Sequence, residues 1–588
     1  MKDLNKIGEL LRTGKYADVL HLMHSVFPRE LPNGELAKIA SFCEVKLGQP
    51  SKAIDRLLAE MEKSGSSNSL LISLCFAYAT NNEIDKVEKR LLNDIDFSRL
   101  SLQEVNEIRY LINEFPFGAH TLSEVLCRLA DNLNDEALLG QLLQIANQKH
   151  LYDCAYFLAD KLYKYYPKNN YLIDKAIALR FLNRPDEGAQ IIQKLVPKIS
   201  HFAIHHNLGN MYSDMGRLNE ALVEYEKAIS LNPSYVDSLV NYARVAYELG
   251  QRDVWLAPIE KQLPLQPNNK AIQLAYINLL LENNAYGQAN SHLETAGIAH
   301  TDPVYALLKA KCLRALQRPN DAMQLLLPFK AFSIKEISVE LLEIALEIQD
   351  VDLAFELIKQ IQNTKDVDAS TIQITIANEY IARQLSNKPL RYAIESAVAQ
   401  SICSQGEIDL DKVNAILMNH HKMRYSPVNQ SVQKGTQTRG NLFPSRDKHL
   451  QSIERYIKQK VVDYVNNHKA ILNLPAANNA DIKHVRFTGS WSVLNKSDGY
   501  HVPHYHSKGL VSGVFYVDIP EELKHNSEAG HLHLGMVDKQ PYYHIAPVLT
   551  VRPERGKLVL FPSHLWHGTY PTEITGERLT IAFDAVLA

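Results

Sequence analysis

A recurring turn signal, spaced by about 34 residues, most constrains the fold of this 588-residue chain. At each occurrence a turn-forming residue is followed five positions later by a small or apolar side chain, and successive occurrences lie about 34 residues apart or twice that. The pairs are Gly14 and Val19, Gly48 and Ala53, Asn82 and Val87, His150 and Ala155, Gly216 and Ala221, Gly250 and Trp255, Asn284 and Ala289, Gln317 and Ala322, and Gln349 and Ala354. LNRPDEGA at 182–189 falls inside one of the double steps. Because a random apolar pattern would not keep this phase, it predicts a right-handed solenoid of helix pairs over residues 1–400.

The clearest repeat lies at residues 201–235. Gly209 and Ala228 are small enough to let two helices approach closely, Gly216 turns the chain between them, and Pro233 ends the second helix. Together with Leu208, Tyr212, Ala221 and Tyr225, these positions resemble the tetratricopeptide repeat family. The spacing of the turn signal predicts about ten or eleven repeats over residues 1–400. The concave face of such a solenoid is expected to hold a protein or peptide partner. The alternative is a solenoid that only dimerises the protein or spaces its domains.

Composition excludes several classes of protein. The chain has 63 basic and 66 acidic residues and a net charge of -3, so its charge does not point to nucleic acid or an anionic membrane. The six cysteines are far apart and form no CxxC motif, which favours reduced thiols and a cytoplasmic location. We find neither a secretion signal nor an apolar run of about 18 residues, so the sequence predicts no membrane span.

The sequence pattern changes at about residue 400. The helical pattern fades there, and residues 424–446 are polar and contain glycine and proline without periodicity. Residues 401–445 are therefore predicted to be a linker and extended lead-in. From 446 to 588, one amphipathic helix carries Leu450, Ile453, Ile457, Val461 and Tyr464 at helical spacing. Six short segments rich in Val, Phe, Tyr and Ile follow it, and they predict a small antiparallel barrel or sandwich. They are VRFTGSWSVL (485–494), GLVSGVFYVDI (509–519), HLHLGMV (531–537), VLTVRP (548–553), KLVLFP (557–562) and RLTIAFDAVL (578–587).

Histidine is concentrated in this last part of the chain, chiefly in HVPHYH at 501–506 and in FPSHLWHGTYP around His567. On a strand, His504 and His506 would point to the same face, and one later histidine from a neighbouring strand could complete a facial set of three metal ligands. Such a set leaves coordination positions open for chemistry. The alternative is that some of these histidines are solvated loop residues.

The segments GYHVPHYHSKGLVSGVFYVDIP and VRPERGKLVLFPSHLWHGTYPTEITGERLTIAFD resemble the iron(II)- and 2-oxoglutarate-dependent oxygenases, in particular an H-x-H subgroup. The match covers roughly residues 420–588 and implies a double-stranded β-helix, or jelly-roll, fold. It implies Fe(2+), 2-oxoglutarate and O2 as cofactors, with His504 and His567 as iron ligands. It also implies that Arg578 pairs with the far carboxylate of 2-oxoglutarate, assisted by Thr580 and Tyr516.

The third ligand departs from the usual pattern of this family, in which H-x-D supplies an imidazole and a carboxylate. Here the corresponding position is His506. Three interpretations remain open: His506 is a true ligand, the iron is held by His504 and His567 with water or chloride in the vacant place, or the site is degenerate and inactive. We favour the first, because a ring at this position has the parity to face the metal.

Three other functions fit the sequence less well than an oxygenase. A cupin-type three-His metal dioxygenase fits Gly556, Pro562 and His567, but SKGL after His506 lacks the glutamate that a cupin places there. A zinc hydrolase lacks an evident general base near the histidines. In a non-catalytic adaptor the solenoid would bind partners, and the oxygenase-like domain with its metal site would be degenerate. The sequence therefore predicts a cytoplasmic hydroxylase whose solenoid presents a protein or peptide substrate, with no catalytic side chain beyond the metal site.

Overall fold

The computed structural model describes residues 2–27, 33–299, 301–332, 334–364, 368–404, 406–421, 431–439, 441–474, 481–524, 528–572 and 576–587. The chain divides into two compact units, one up to Leu179 and one from Arg180 to Leu587. Part of the predicted linker and lead-in, at 405, 422–430 and 440, lies outside the described residues. The domain boundaries given by the sequence stay predictions.

The first unit is entirely helical. Its fully buried side chains form a continuous apolar core that includes Leu57, Leu74, Leu91 and Leu111. Its described helices are α1 (Lys2–Arg12), α2 (Tyr16–Val26), α3 (Gly34–Lys46), α4 (Pro50–Ser64), α5 (Asn68–Thr80), α6 (Ile84–Asn93), α7 (Leu102–Glu114), α8 (Ala119–Asp131), α9 (Glu136–Gln148), α10 (Tyr152–Tyr165) and α11 (Asn169–Phe181), with a 3-10 turn at Phe97–Arg99; α11 contains the division between the units.

The second unit begins with the same helical pattern and ends in a β-rich part. Its described helices are α12 (Pro185–Leu195), α13 (Phe202–Asp214), α14 (Leu218–Leu231), α15 (Val236–Glu248), α16 (Ala257–Leu265), α17 (Lys270–Glu282), α18 (Tyr286–Thr295), α19 (Pro303–Ala315), α20 (Pro319–Leu326), α21 (Lys335–Glu347), α22 (Val351–Asn363), α23 (Ala369–Leu385), α24 (Leu410–Met418) and α25 (Lys448–Asn467). Short 3-10 helices lie at Leu327–Phe332, Ile394–Ala397 and Glu521–Lys524.

The predicted turn signal has a direct structural counterpart. All nine predicted turn residues, and Asn183 within LNRPDEGA, have a left-handed backbone with φ between 57° and 80°. This conformation ends a helix and satisfies its last carbonyl groups, which is why Gly and Asn predominate at these positions. The small or apolar side chain five residues after each predicted turn residue is buried at every position. The predicted helical solenoid is therefore confirmed.

The described strands between residues 399 and 587 belong mainly to one curled antiparallel sheet, and this part of the chain is named the β-region. Its strands are β1 (Ala399–Ile402), β2 (Val432–Gln437), β3 (Val485–His504), β4 (Val511–Asp518), β5 (Leu532–Leu534), β6 (Val537–Lys539), β7 (Tyr543–Ile545), β8 (Leu549–Val551), β9 (Lys557–Pro562), β10 (His567–Thr569) and β11 (Glu577–Leu587). The order is β1-β9-β4-β11-β3-β10-β5-β8, with β2 added beside β3 and with β6 and β7 as a separate hairpin. The long strand β3 bends the sheet, because residues 485–496 pair with β11 while His501 and His504 pair with β10.

This architecture confirms the predicted fold class, a helical solenoid followed by an antiparallel sheet consistent with a jelly roll. Each of the six predicted strand segments contains a strand, and α25 buries the five apolar residues predicted for one face of the helix before them. Within 401–445, α24 and β2 are regular elements, and β2 belongs to the sheet.

Helices of the second unit pack directly against the β-region. The indole nitrogen of Trp566 donates to the carbonyl of Ala377 on α23 at 3.0 Å. Gln349, a left-handed turn residue, donates to the carbonyl of Tyr542 at 2.8 Å. A shared apolar cluster runs from α19 through α23 to the β6–β7 hairpin. The sheet is therefore held by specific contacts to these repeats.

All six cysteines are free thiols. None of the helices in the described ranges combines the length and apolar character needed to span a bilayer.

Candidate metal centre

Three histidines meet where β3 and β10 lie side by side. His504 is the last residue of β3, His567 is the first of β10, and the two are direct partners in the antiparallel register. His506 follows two residues after β3 ends. One ring nitrogen from each histidine lies within 4.8 Å of the others, which is the grouping expected of ligands to one metal ion.

Backbone carbonyls orient two of these rings. Nδ1 of His504 lies 2.8 Å from the carbonyl oxygen of Val502, and Nδ1 of His567 lies 2.9 Å from that of Leu565. Since a carbonyl only accepts, each Nδ1 carries the proton and donates it, which leaves Nε2 of both rings as the lone-pair donor. This is how proteins prepare a histidine to bind a metal.

A carboxylate orients the third ring. Nδ1 of His506 lies 2.5 Å from Oδ1 of Asp584 on β11, and the hydroxyl of Ser512 donates to the same oxygen at 2.5 Å. The backbone nitrogen of His506 donates to the carbonyl of Ser563 at 2.8 Å and fixes the main chain. Nε2 of His506 is consequently the nitrogen that can join the other two histidines.

Burial keeps the rings of His504 and His567 neutral. It lowers the pKa of His504 to about 3, and the neighbouring His506 contributes to the shift. Burial and the nearby His504 likewise hold the pKa of His567 well below its usual value. At neutral pH both rings therefore have a free lone pair, the form that binds a metal.

His501, the spare candidate, lies outside this group of three. Its ring stacks on that of His504 with centroids 6.0 Å apart, and its Nδ1 lies 2.9 Å from the hydroxyl of Ser431. Three imidazoles with open positions suit iron, zinc, copper or nickel, so the donors present fit the predicted iron without selecting it.

The predicted cosubstrate residues lie deeper in the same part of the sheet. Arg578 and Tyr516 are almost fully buried on β11 and β4, and Thr580 pairs with Tyr516 in the register. Nη1 of Arg578 donates to the carbonyl of Gly530 at 2.7 Å, but its Nε and the hydroxyl of Tyr516 bond to none of the described residues. Burial lowers the pKa of Arg578 and raises that of Tyr516 to about 12. Two buried donors without partners fit a carboxylate ligand.

Asn495 is not among the site residues predicted from the sequence. It pairs directly with Arg578 in the register of β3 with β11. Its side chain is fully buried, and neither its oxygen nor its nitrogen bonds to another described residue. A buried asparagine with both groups unsatisfied is uncommon. Asn495 pairs with Arg578, but it is not among the residues that line the cavity of the histidines. The only signal in the sequence is an asparagine that follows the apolar run SVL.

A single cavity of about 1590 Å³ connects these groups. Its lining includes His504, His506 and His567 together with Arg578 and Tyr516. A metal ion at the histidines and a carboxylate at Arg578 would thus share one space, as a cosubstrate that chelates the metal requires.

Comparisons with known proteins agree with this site. Residues 489–584, which contain the three histidines, Arg578 and Asp584, match the family described as "Putative 2OG-Fe(II) oxygenase", and residues 202–235 match the tetratricopeptide repeat. A search of curated proteins finds no match.

Solved structures similar to the chain include yeast Tom70, with 14% identity and a TM-score of 0.35, where the match covers 65% of this chain and 95% of that one. A tetratricopeptide repeat protein from Parabacteroides merdae also has 14% identity, with a TM-score of 0.30 and coverage of 42% of this chain and 98% of that one. The family matches thus fall on one tetratricopeptide repeat, at 202–235, and on a C-terminal segment similar to the family described as "Putative 2OG-Fe(II) oxygenase", at 489–584.

Proposed function

We propose that the protein is an iron(II)- and 2-oxoglutarate-dependent oxygenase that hydroxylates a protein or peptide. One observation carries this proposal. The cavity that contains the three convergent histidines also contains the unsatisfied Nε of Arg578 and hydroxyl of Tyr516. A metal site alone would not need that buried cation.

Each side chain then has a defined task. His504, His506 and His567 would hold iron through Nε2, with every Nδ1 already committed to a backbone carbonyl or to Asp584. His506 is a neutral ligand, unlike the usual aspartate. The carboxylate of Asp584 would partly compensate, because a hydrogen bond from an imidazole to a carboxylate makes the imidazole a stronger donor to the metal.

Arg578 and Tyr516 would bind the far carboxylate of 2-oxoglutarate, since both have a buried donor without a partner among the described residues. A planar guanidinium suits this contact because it donates two hydrogen bonds to a carboxylate in a dry pocket. Bound iron(II), 2-oxoglutarate and dioxygen would supply oxidising chemistry in which 2-oxoglutarate becomes succinate and carbon dioxide while a substrate C–H bond becomes C–OH.

The repeats support a macromolecular substrate. Tetratricopeptide solenoids generally bind proteins or peptides, and the cavity exceeds the 300–1,000 Å³ or so that is usual for small ligands. We also propose a cytoplasmic location, because the six cysteines are free thiols.

A second candidate is a three-His metal dioxygenase that works without 2-oxoglutarate. The neutral triad favours it, because such enzymes need no carboxylate ligand. The buried donors of Arg578 and Tyr516 favour the first proposal, since a dioxygenase of that kind has no use for a carboxylate site.

Cosubstrate turnover tests the proposal. Iron-loaded protein in air should convert 2-oxoglutarate into succinate, measured by NMR, and His567→Ala should abolish the conversion. The control is His544→Ala, which removes an exposed histidine that does not line the cavity. Equal succinate formation by the parent and His567→Ala would overturn the proposal.

A further inference from the structure

The metal centre is in contact with the last long helix of the repeats. We propose that α23 positions the metal ligands through residues 563–566, called the 563–566 segment, and that His564 and Trp566 are the positioning residues. This inference gives the repeats a task at the metal itself, and it rests on the proposed function only for the presence of that metal.

The backbone of the 563–566 segment holds two of the three ligands. The carbonyl of Ser563 accepts a hydrogen bond from the backbone nitrogen of His506 at 2.8 Å. The carbonyl of Leu565 accepts one from Nδ1 of His567 at 2.9 Å. His567 is also the next residue of the chain. A displacement of this short backbone would therefore move both ligands.

The side chains of the same segment face the repeats. Nδ1 of His564 donates to the side-chain oxygen of Gln373 at 2.8 Å, and the indole nitrogen of Trp566 donates to the carbonyl of Ala377 at 3.0 Å. Both acceptors belong to α23 and lie four residues apart, on one face of the helix. The segment therefore alternates, with carbonyls toward the metal ligands and side chains toward the helix.

A third contact from this face of α23 reaches the strand beside His567. The hydroxyl of Tyr380 donates to the carbonyl of Gly535 at 2.7 Å, and the backbone nitrogen of Gly535 donates to the carbonyl of Trp566 at 2.8 Å. Gly535 has φ 84°, and a Cβ there would lie 2.8 Å from the Tyr380 hydroxyl. Glycine is therefore required at this position. One chain of hydrogen bonds links α23 to the residue that precedes a ligand.

Packing connects the other two ligands to the same helix. Tyr505 lies between His504 and His506 in the sequence, and its ring packs edge to face on that of Trp566 with centroids 5.0 Å apart. Both aromatic side chains contact the apolar cluster that includes residues of α23. Residues adjacent to all three ligands thus meet against the repeats.

The alternative is that these contacts only stabilise the fold. The two roles make different predictions, because ligands must be held to within about 0.5 Å of their productive geometry. A loss of positioning changes the affinity of the site for a metal and the geometry of the bound ion. A loss of stability alone lowers the free energy of unfolding and changes neither.

Two substitutions in the full chain test the proposal. Trp566→Phe keeps an aromatic ring against Tyr505 and removes the hydrogen bond to α23, while Gln373→Leu removes the other acceptor from the side of the helix. Each should lower the affinity for iron(II) by about fivefold, the equivalent of one net hydrogen bond, measured by competition with a chelator. Each should also change the visible spectrum of the cobalt(II)-loaded protein, whose bands depend on the geometry of the ligands.

Tyr464→Phe is the matched control. It removes a buried hydrogen bond of the same kind, from the Tyr464 hydroxyl to the carbonyl of Ala397 at 2.6 Å, and neither residue lines the cavity of the histidines. It should lower the midpoint of urea denaturation and leave iron affinity and the cobalt spectrum as in the parent. If Trp566→Phe and Gln373→Leu behave in the same way as this control, α23 only stabilises the fold and the proposal is overturned.

The result can be separated from a failure of the proposed function, because neither measurement needs 2-oxoglutarate or turnover. Weaker iron binding and an altered cobalt spectrum in both variants would support the positioning role even in a protein that forms no succinate. Succinate formation by a protein whose metal binding is unchanged in both variants would overturn the positioning role and leave the oxygenase intact.

Discussion

Nδ1 of His506 lies 2.5 Å from the carboxylate of Asp584, a contact between the segment after β3 and the strand β11. In the usual H-x-D pattern a carboxylate binds the metal directly. Here the carboxylate of Asp584 instead contacts the far side of the His506 ring. The negative charge is kept near the site while the ligand atom becomes nitrogen. This relationship favours His506 as a true ligand over the two-ligand and degenerate alternatives, and it makes specific predictions.

Asp584→Asn should weaken iron binding although it removes no ligand. The ring of His506 would lose its charged acceptor, and loss of such an outer partner typically lowers metal affinity by about 10–100-fold. Competition with a chelator of known affinity measures the effect. Asp538→Asn is the matched control, because it breaks the exposed pair of Asp538 with His544. If both substitutions leave iron affinity unchanged, Asp584 has no role at the metal.

His506→Asp should bind iron poorly by itself and better when combined with Asp584→Asn. The single substitution brings two carboxylates together, and mutual repulsion disfavours the charged form of both. The double substitution leaves one carboxylate beside two histidines, which is the common ligand set. A single variant that binds iron as tightly as the double would show that residues 506 and 584 do not act together.

Arg578→Ala should raise the concentration of 2-oxoglutarate needed for half-saturation by roughly 30-fold or more, because a buried charge-assisted contact is worth about 2–5 kcal/mol. Iron content should stay unchanged, since Arg578 is not among the metal donors. Tyr516→Phe should have a smaller effect in the same direction. Titration of each variant with 2-oxoglutarate checks this, and an unchanged affinity in Arg578→Ala would place the carboxylate elsewhere.

His564 should make the fold sensitive to acid. It is buried between Gln373 and Tyr392, and burial lowers its pKa from 6.5 to about 3, with a smaller contribution from Arg391. Between those values the unfolded chain binds the proton and the folded chain does not. The free energy of unfolding is therefore not reduced by His564 above pH 6.5. It declines as the pH falls from 6.5 toward 3, by up to about 1.4 kcal/mol per pH unit.

His564→Gln should therefore flatten the fall in the denaturation midpoint between pH 7 and pH 5, measured by urea unfolding. His544→Gln, at an exposed site, should leave the slope as it is in the parent. Identical slopes in all three proteins would mean that His564 does not take up a proton on unfolding.

The repeats could be predicted from sequence because each turn needs a left-handed residue and a small partner, and both requirements act locally. Asn82, His150 and Gln317 show that the position, more than glycine itself, carries the signal. The apolar strands could be predicted for the same reason, because their apolar residues are close together in the sequence.

Features that depend on long-range pairing could not be predicted. The second half of β3, NKSDGYHVPH, is polar and glycine-bearing, and β2 and β10 hold it in the sheet. Asp584 and Asn495 acquire their positions through the register of β11 with β3 and β4, which spacing along the chain does not encode.

Anaerobic titration of the iron-loaded protein with 2-oxoglutarate tests the central claim most directly. If the histidines hold iron and Arg578 anchors the cosubstrate, a weak visible charge-transfer band should appear and saturate at one equivalent per chain. The band should be absent in His567→Ala and need far more 2-oxoglutarate in Arg578→Ala. Iron bound at full occupancy without any such band, or a band unchanged in both variants, would contradict the assignment of this cavity as a 2-oxoglutarate oxygenase site.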